Sequence, residues 1–422
     1  MDSWRIETKC LQSGYKPGNS EPRVLPIYQS TTYKYDSTEH VAKLFDMEAD
    51  GHMYSRISNP TVAYVEDKIA ALEGGAGALC TSSGQSASLI AVMNICEAGD
   101  HLVSSSTIYG GTFNLFAVTM KKMGIDVTFV DPDSTEEEIQ KAFKPNTKLL
   151  FGETIANPKI SVLDIEKFAR IAHKNNVPLI IDNTFATPIL CRPFEYGADI
   201  IVHSTTKYMD GHAVSVGGVV VDSGKFDWSN GKFPMLTEPD ESYHGVIYTQ
   251  TFGEKAYIAK ARYQYMRDIG NCMSPMNAFL TNLGLETLHL RMERHSENAL
   301  KVAEFLENNK HVISVNYPGL KSSPYYDFAK KYLPKGCSGV ISFRIKGGKE
   351  AAIRFMDKLK LANIVVHVAD ARTAVLHPAS STHRQLSDEQ LVKAGIEPDL
   401  IRLSIGLENV EDIINDISQA FE

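Results

Sequence analysis

"PLIIDNT" (residues 178–184) and "DIIVHSTTKYMDGH" (residues 199–212) are short runs that begin apolar and end in reactive side chains. Each is rich in Ile or Val and too short for a stable helix. An unbroken apolar run of that length reads as a strand buried on both faces. Working outward, "HLVSSS" (101–106), "DVTFVD" (126–131), "KLLFGET" (148–154) and "GGVVVD" (217–222) are runs of the same kind. Helical patterns separate several of them, such as "DIEKFARIAHKNN" (164–176). Strands alternating with helices predict an α/β domain, with a mostly parallel central sheet and helices on both faces.

The helix that leads into this region follows "SNPT" (58–61), where Asn59 caps it and Pro60 suits its first turn. Val62, Val65, Ile69 and Leu72 recur at helical spacing, and Gly74-Gly75 end it. The residues before it lack periodicity and read as an extended arm. Its apolar content (Val24, Leu25, Ile27, Tyr28) argues that the arm lies on another surface. Residues 225–270 read as irregular and polar. A helical pattern then runs from about Pro275 to Asn309, followed by "GVISFRIKGG" (339–348), "NIVVHVAD" (363–370) and "DLIRLSIG" (399–406). The expected division is an arm over 1–60, a larger α/β domain over 61–270 and a smaller C-terminal α/β domain over 271–422.

Composition narrows the function. The chain has 422 residues and a net charge of -8, which argues against a nucleic-acid partner, since phosphate backbones select basic faces. No apolar run approaches a membrane span, and the N-terminal residues contain no apolar core of signal-peptide length. The six cysteines (10, 80, 96, 191, 272 and 337) are scattered without a CxxC pair. That usage predicts reduced thiols in a cytoplasmic protein, with no metal site.

Ligands of open α/β sheets gather at the carboxyl ends of strands. Here three runs end in Glu153, in Asp182, and in Ser204, Thr206 and Lys207. Singly, each reads more readily as a solvated strand end than as a catalytic group. Together they match the needs of pyridoxal 5′-phosphate. That cofactor requires a lysine amine to form a Schiff base with its aldehyde, and a carboxylate to keep its ring nitrogen protonated. Its phosphate requires hydroxyls and backbone N–H groups, preferably at a helix N-terminus. Lys207 supplies the amine, Asp182 the carboxylate, and Ser204 and Thr206 hydroxyls. In "CTSSGQSASLIAVMNI" (80–95), Ser82-Ser83-Gly84 reads as a tight polar turn before a helical segment, and Gly84 lets the backbone come close to a phosphate. A dinucleotide fingerprint at "GGAGALC" (74–80) is the weaker reading, because it follows a helix and ends in Cys80.

Across nearly its whole length the chain resembles the Cys/Met-metabolism family of pyridoxal-phosphate-dependent enzymes. The motifs that carry the resemblance are "YSRISNPT", "TSSGQSA", "YGGTFNLF", "ETIANP", "IIDNTFATP", "HSTTKYMDGH", "HPASSTH" and "IRLSIGLE". It implies an aspartate-aminotransferase-like (type I) fold and a homo-oligomer, as a tetramer built from two dimers. Lys207 matches the Schiff-base lysine, Asp182 the partner of the ring nitrogen, and Tyr109 the tyrosine that stacks on the ring. Ser83, Gly84, Gln85, Ser204 and Thr206 match phosphate contacts. Tyr54 and Arg56 match phosphate ligands that reach in from a neighbouring subunit. Asn157, Arg402 and the residues around His367 match the substrate carboxylate site. On the residues alone, Tyr109 reads more readily as a core aromatic and Arg402 as the partner of an acid such as Glu408.

Within the family, the long "TEPDESYHG" segment (237–245) and "NAFLTNLGLETLHLRMERHSENA" (277–299) are similar to O-acetylhomoserine sulfhydrylases. The similarity implies γ-replacement, in which O-acetylhomoserine and sulfide (or a thiol) give homocysteine and acetate. The alternatives are a methionine γ-lyase, which usually carries a cysteine where Gly111 stands, and a cystathionine γ-synthase, which usually has an acid where Ile108 stands. A non-catalytic protein with the same fold is the alternative of another class. His367 and Ala369 stand where sulfhydrylases commonly have Asn and Gly.

Overall fold

The computed structural model describes residues 3–381 and 397–422. Its larger sheet has seven strands: β1 (Gly77–Thr81), β2 (His101–Ser105), β3 (Asp126–Val130), β4 (Thr147–Glu153), β5 (Leu179–Asp182), β6 (Ile200–His203) and β7 (Gly218–Asp222). Their order is β1-β7-β6-β5-β4-β2-β3. Strands β2 to β6 run parallel, while β7 is antiparallel to both β6 and β1. The two-residue period of a strand sends alternate side chains to opposite faces. Leu150, Leu179, Ile181 and Ile201 enter one buried cluster, and Leu149, Phe151, Ile180 and Ile200 enter the other. Both faces are therefore covered, as the continuous apolar runs require.

Strand β1 was not expected. Its sequence, GALCT, opens with Gly77 and Ala78, which have little strand preference, and pairing with β7 over five positions is what extends it. Residues 225–270 also differ from the irregular polar reading. Helical segments fill 248–269, where Tyr248, Tyr257, Ala261 and Met266 are buried against the second cluster, and Trp228 stacks on Tyr257 with ring centroids 5.2 Å apart. Tertiary packing of these large side chains overrides a polar average.

The residues before the first long helix hold two short helices, α1 (Ile6–Gln12) and α2 (Thr38–Phe45), within otherwise non-repetitive chain. Cys10 and Leu44 anchor them in the interior. The helix α3 (Pro60–Glu73) forms as its sequence directs: the Asn59 side chain accepts the Thr61 N–H, and Gly74 ends it at φ 80°. The pattern from Pro275 to Asn309 is two helices, Pro275–Glu286 and Leu288–Glu307. Thr287 breaks them, and its hydroxyl accepts from Arg291 Nε at 3.2 Å.

A second sheet has the order β10-β11-β12-β9-β8, from β8 (Val312–Asn316), β9 (Val340–Ile345), β10 (Asn363–Ile364), β11 (Ala374–Leu376) and β12 (Leu400–Ser404). Only Asn363–Ile364 of "NIVVHVAD" is strand; the run then leaves the sheet, with Val366 72 % exposed. The last two residues of "HPASSTH", Thr382 and His383, lie outside the described residues. No helix among the described residues is long and apolar enough to cross a membrane.

Candidate active site

Asp182 and Glu153 end neighbouring parallel strands in direct register, and Ile180 and Phe151 two residues earlier are also paired. Both carboxyl groups therefore leave the sheet on the side covered by α4 (Gly84–Met93), whose Ala87, Ile90 and Ala91 pack with Phe151 and Ile180. They line a cavity of about 280 Å³ above the carboxyl ends of the strands. The N-terminus of α4 points into the same space.

Ser83 caps α4, its side chain accepting from the Ser86 N–H at 3.2 Å. The leading N–H groups of a helix have no intrahelical acceptor, and here they belong to Gly84 and Gln85. The turn is pressed against the end of β6: a Cβ on Gly84 would lie 2.6 Å from Ser204 Cβ and 2.8 Å from Ser204 Cα. A larger residue would push these N–H groups away from the cavity. Thr206 lines the cavity too, but its hydroxyl donates to Gly217 O at 3.1 Å and accepts the Gly217 N–H at 3.0 Å. It braces the loop while its donor stays in use.

Lys207 lies on the cavity wall. Burial first, and then the positive Arg402, pull its amine down from 10.5 to about 8. Asp182 is buried, which raises its carboxyl, but two donors from Thr184 oppose this: N–H at 3.0 Å and Oγ1 at 2.5 Å, both to Oδ1. The Thr184 hydroxyl also accepts the Ser204 N–H at 2.9 Å. One side chain thus ties the carboxylate to the loop that carries Lys207. Sequence reading missed Thr184; the signal was the Asp-x-Thr spacing of an Asx turn.

Tyr109 is 48 % exposed at the cavity, which removes the core-aromatic reading. Its backbone N–H donates to Glu153 Oε2 at 2.6 Å. Arg402 crosses from the smaller sheet and is 7 % exposed. Its guanidinium donates to Asn157 Oδ1 at 3.2 Å and to the carbonyl of His367 at 3.4 Å. Glu408 is engaged elsewhere, accepting from Thr373 N–H at 2.7 Å and Thr373 Oγ1 at 2.9 Å. Among the described residues, Arg402 thus meets only neutral oxygens. Burial lowers it to about 10, and an anion arriving in the cavity would offset that cost.

Three expected residues sit differently. Val366 and Val368 line the cavity on either side of His367, and His367 meets Arg402 through its backbone carbonyl. Its ring Nε2 is buried 3.9 Å from Asp370 Oδ2. Tyr54 and Arg56 are not on the wall of this cavity. Arg56 stacks over Tyr54 at 5.3 Å and donates to the carbonyl of Arg267.

The residues present fit pyridoxal phosphate. An amine, a carboxylate and a glycine-backed helix N-terminus match an aldehyde, a ring nitrogen and a phosphate. Comparisons with known proteins agree. The family model described as Cys/Met metabolism PLP-dependent enzyme matches residues 7–422. An O-acetyl-L-homoserine sulfhydrylase of Leptospira meyeri is 46% identical over 430 residues, covering 100% of this chain and 97% of the relative. A homocysteine/cysteine synthase of Saccharomyces cerevisiae is 45% identical, covering 99% of this chain and 97% of the relative. A crystal structure described as an O-acetylhomoserine (thiol)-lyase of Campylobacter jejuni, with a pyridoxyl group on a lysine, superposes with TM-score 0.96 at 39% identity. It covers 99% of this chain and 100% of the other.

Proposed function

The chain belongs to the Cys/Met-metabolism family of pyridoxal-phosphate-dependent enzymes, and from that premise we propose that it exchanges the acetyl ester of O-acetylhomoserine for sulfide, giving homocysteine and acetate. The observation that carries the reading is a buried Arg402 with no acid partner among the described residues, beside a lysine of lowered basicity, in one cavity. An amino-acid substrate brings the carboxylate that the first lacks and the amine that the second can hand over to.

Pyridoxal phosphate, when bound, supplies an aldehyde that captures the substrate amine and a ring that takes up the electrons freed at Cα. The protein's residues do the rest. Gly84 and Gln85 N–H groups with the Ser83 and Ser204 hydroxyls hold the phosphate. Asp182, kept anionic by Thr184, holds the ring nitrogen in its protonated form. Arg402 and Asn157 grip the α-carboxylate, which fixes the Cα–H bond with respect to Lys207. Lys207, substantially neutral near pH 8, takes the Cα proton. Loss of a proton from Cβ and of acetate from Cγ then opens Cγ to sulfide. Tyr109 covers the site and assists proton movement.

The reading favours replacement over methionine cleavage because of Gly111. A Cβ there would lie 2.5 Å from Tyr109 Cε1 and 3.1 Å from Gln85 Nε2, so the cysteine of γ-lyases does not fit with Tyr109 in this place. Tyr54 and Arg56, away from their own cavity, serve the phosphate of a second subunit, which makes the working form a homo-oligomer; a tetramer of two dimers is our reading. The six cysteines are free thiols, five of them buried, and we place the enzyme in the cytoplasm. The experiment is a comparison of nucleophiles. With O-acetylhomoserine, sulfide should give homocysteine faster than cysteine gives cystathionine, and methionine alone should be cleaved slowly. Faster turnover of methionine would overturn the reading.

A further inference from the structure

Glu153 is a buried acid to which the reaction above gives no task. It is 5 % exposed, it lines the cavity, and it stands directly beside Asp182 on the neighbouring strand. Parallel strands lie about 4.8 Å apart, so the two carboxyl groups share one low-dielectric space. Two negative charges so placed repel strongly, and one of the pair keeps its proton. The hydrogen bonds say which one. Asp182 receives two donors from Thr184 on one oxygen. Among the described residues, Glu153 receives only the Tyr109 N–H. Burial and the neighbouring Asp182 push Glu153 well above the usual carboxylate range, and the charged group that bears on it is the repelling Asp182.

We propose that Glu153 is a positioning residue that works as an uncharged acid: it fastens the Tyr109 loop to the sheet through a neutral acceptor oxygen and leaves Asp182 as the single negative charge beneath the cofactor ring. The inference rests on the cofactor site described above. Tyr109 opens a short helix, Gly110–Asn114, and its own side chain does not cap it. The Glu153 bond ties the Tyr109 backbone itself to the sheet, while Gln85 Nε2 donates to Thr112 Oγ1 at 3.2 Å farther along the same helix. An ionised Glu153 would compete with Asp182 for the ring nitrogen and would lift the cost of burying both.

Two variants of nearly equal size separate the possibilities. Glu153→Gln keeps an acceptor oxygen and can never be charged. Glu153→Met keeps the length and has no acceptor oxygen. The first measurement is the dissociation constant of pyridoxal phosphate from cofactor-free enzyme, read without substrate, so that it stands whether or not O-acetylhomoserine is the substrate. Glu153→Gln should bind the cofactor at least threefold more tightly than Glu153→Met. A ratio below three, with both variants weak or both like the parent, overturns the tether. The second is the split of kcat and KM with the best substrate found. Glu153→Gln should keep kcat within about tenfold of the parent, while a larger fall would mean that the ionised group is needed and would overturn the neutral-acid role.

Discussion

Lys207 carries a prediction that needs no substrate. Only a neutral amine attacks an aldehyde, and the Lys207 amine is lowered to about 8 by burial and then by Arg402. The rate at which cofactor-free enzyme captures pyridoxal phosphate should therefore rise with pH and reach half its limit near 8. An ordinary lysine would place that midpoint near 10.4, and stopped-flow absorbance tells the two apart. Asp182→Asn removes the charge while keeping the shape. An amide cannot hold the ring nitrogen protonated, so kcat should fall at least about a hundredfold, close to 3 kcal/mol in barrier. Activity within about twofold of the parent would remove Asp182 from the role. Both residues were legible in the sequence because each closes an apolar run where strands end. Thr184 was not, because its part depends on a hydroxyl that turns back to Asp182 and forward to Ser204, and no spacing rule gives the second contact. Arg402 was singled out as a candidate carboxylate site through the family motif; that its partners among the described residues are neutral needed the fold.

The turn before the helix Gly110–Asn114 tests the choice of reaction. Tyr109, Gly111 and Gln85 crowd one corner, where a Cβ on residue 111 would meet the Tyr109 ring at 2.5 Å. Gly111→Cys should displace Tyr109 and lower kcat/KM for sulfide replacement by about tenfold or more, a barrier change of about 1.4 kcal/mol. Methionine cleavage should remain poor, since one side chain rearranges the corner without rebuilding the site. Product analysis of the variant with O-acetylhomoserine and with methionine gives both numbers. Most central strands were readable from the sequence for one reason: β4, β5 and β6 lie inside the sheet with their apolar runs buried on both faces, while β3 at the edge is only partly buried. Strand β1 escaped because Gly77 and Ala78 carry almost no strand signal and the pairing with β7 supplies it. The helical stretch 248–269 escaped because Tyr248 and Tyr257 are buried by packing that a polar local average conceals.

The whole molecule raises the question of where the first 60 residues belong. Tyr54 is 44 % exposed, and with Arg56 it lies away from its own cavity. If the two serve a second subunit, inactive Arg56→Ala and inactive Lys207→Ala chains should complement. After joint unfolding and refolding, a mixed dimer holds one site with both defects and one with neither. Part of the activity should return, and verified heterodimers as inactive as their parents would put Arg56 to work within its own chain. The expected extended arm over 1–60 did not include the helices α1 and α2, which are too short to show a period and are fixed by single buried anchors, Cys10 and Leu44. Everything above depends on one placement, that the cofactor aldehyde is held by Lys207 in the cavity above β5 and β6. Borohydride fixes the linkage between that aldehyde and a lysine as a stable amine, and peptide mass mapping then finds it. One pyridoxyl-bearing peptide is expected, the one that contains Lys207, with loss of activity in proportion to labelling; a pyridoxyl group on any other lysine of the inactivated enzyme, with Lys207 unmodified, would refute this placement.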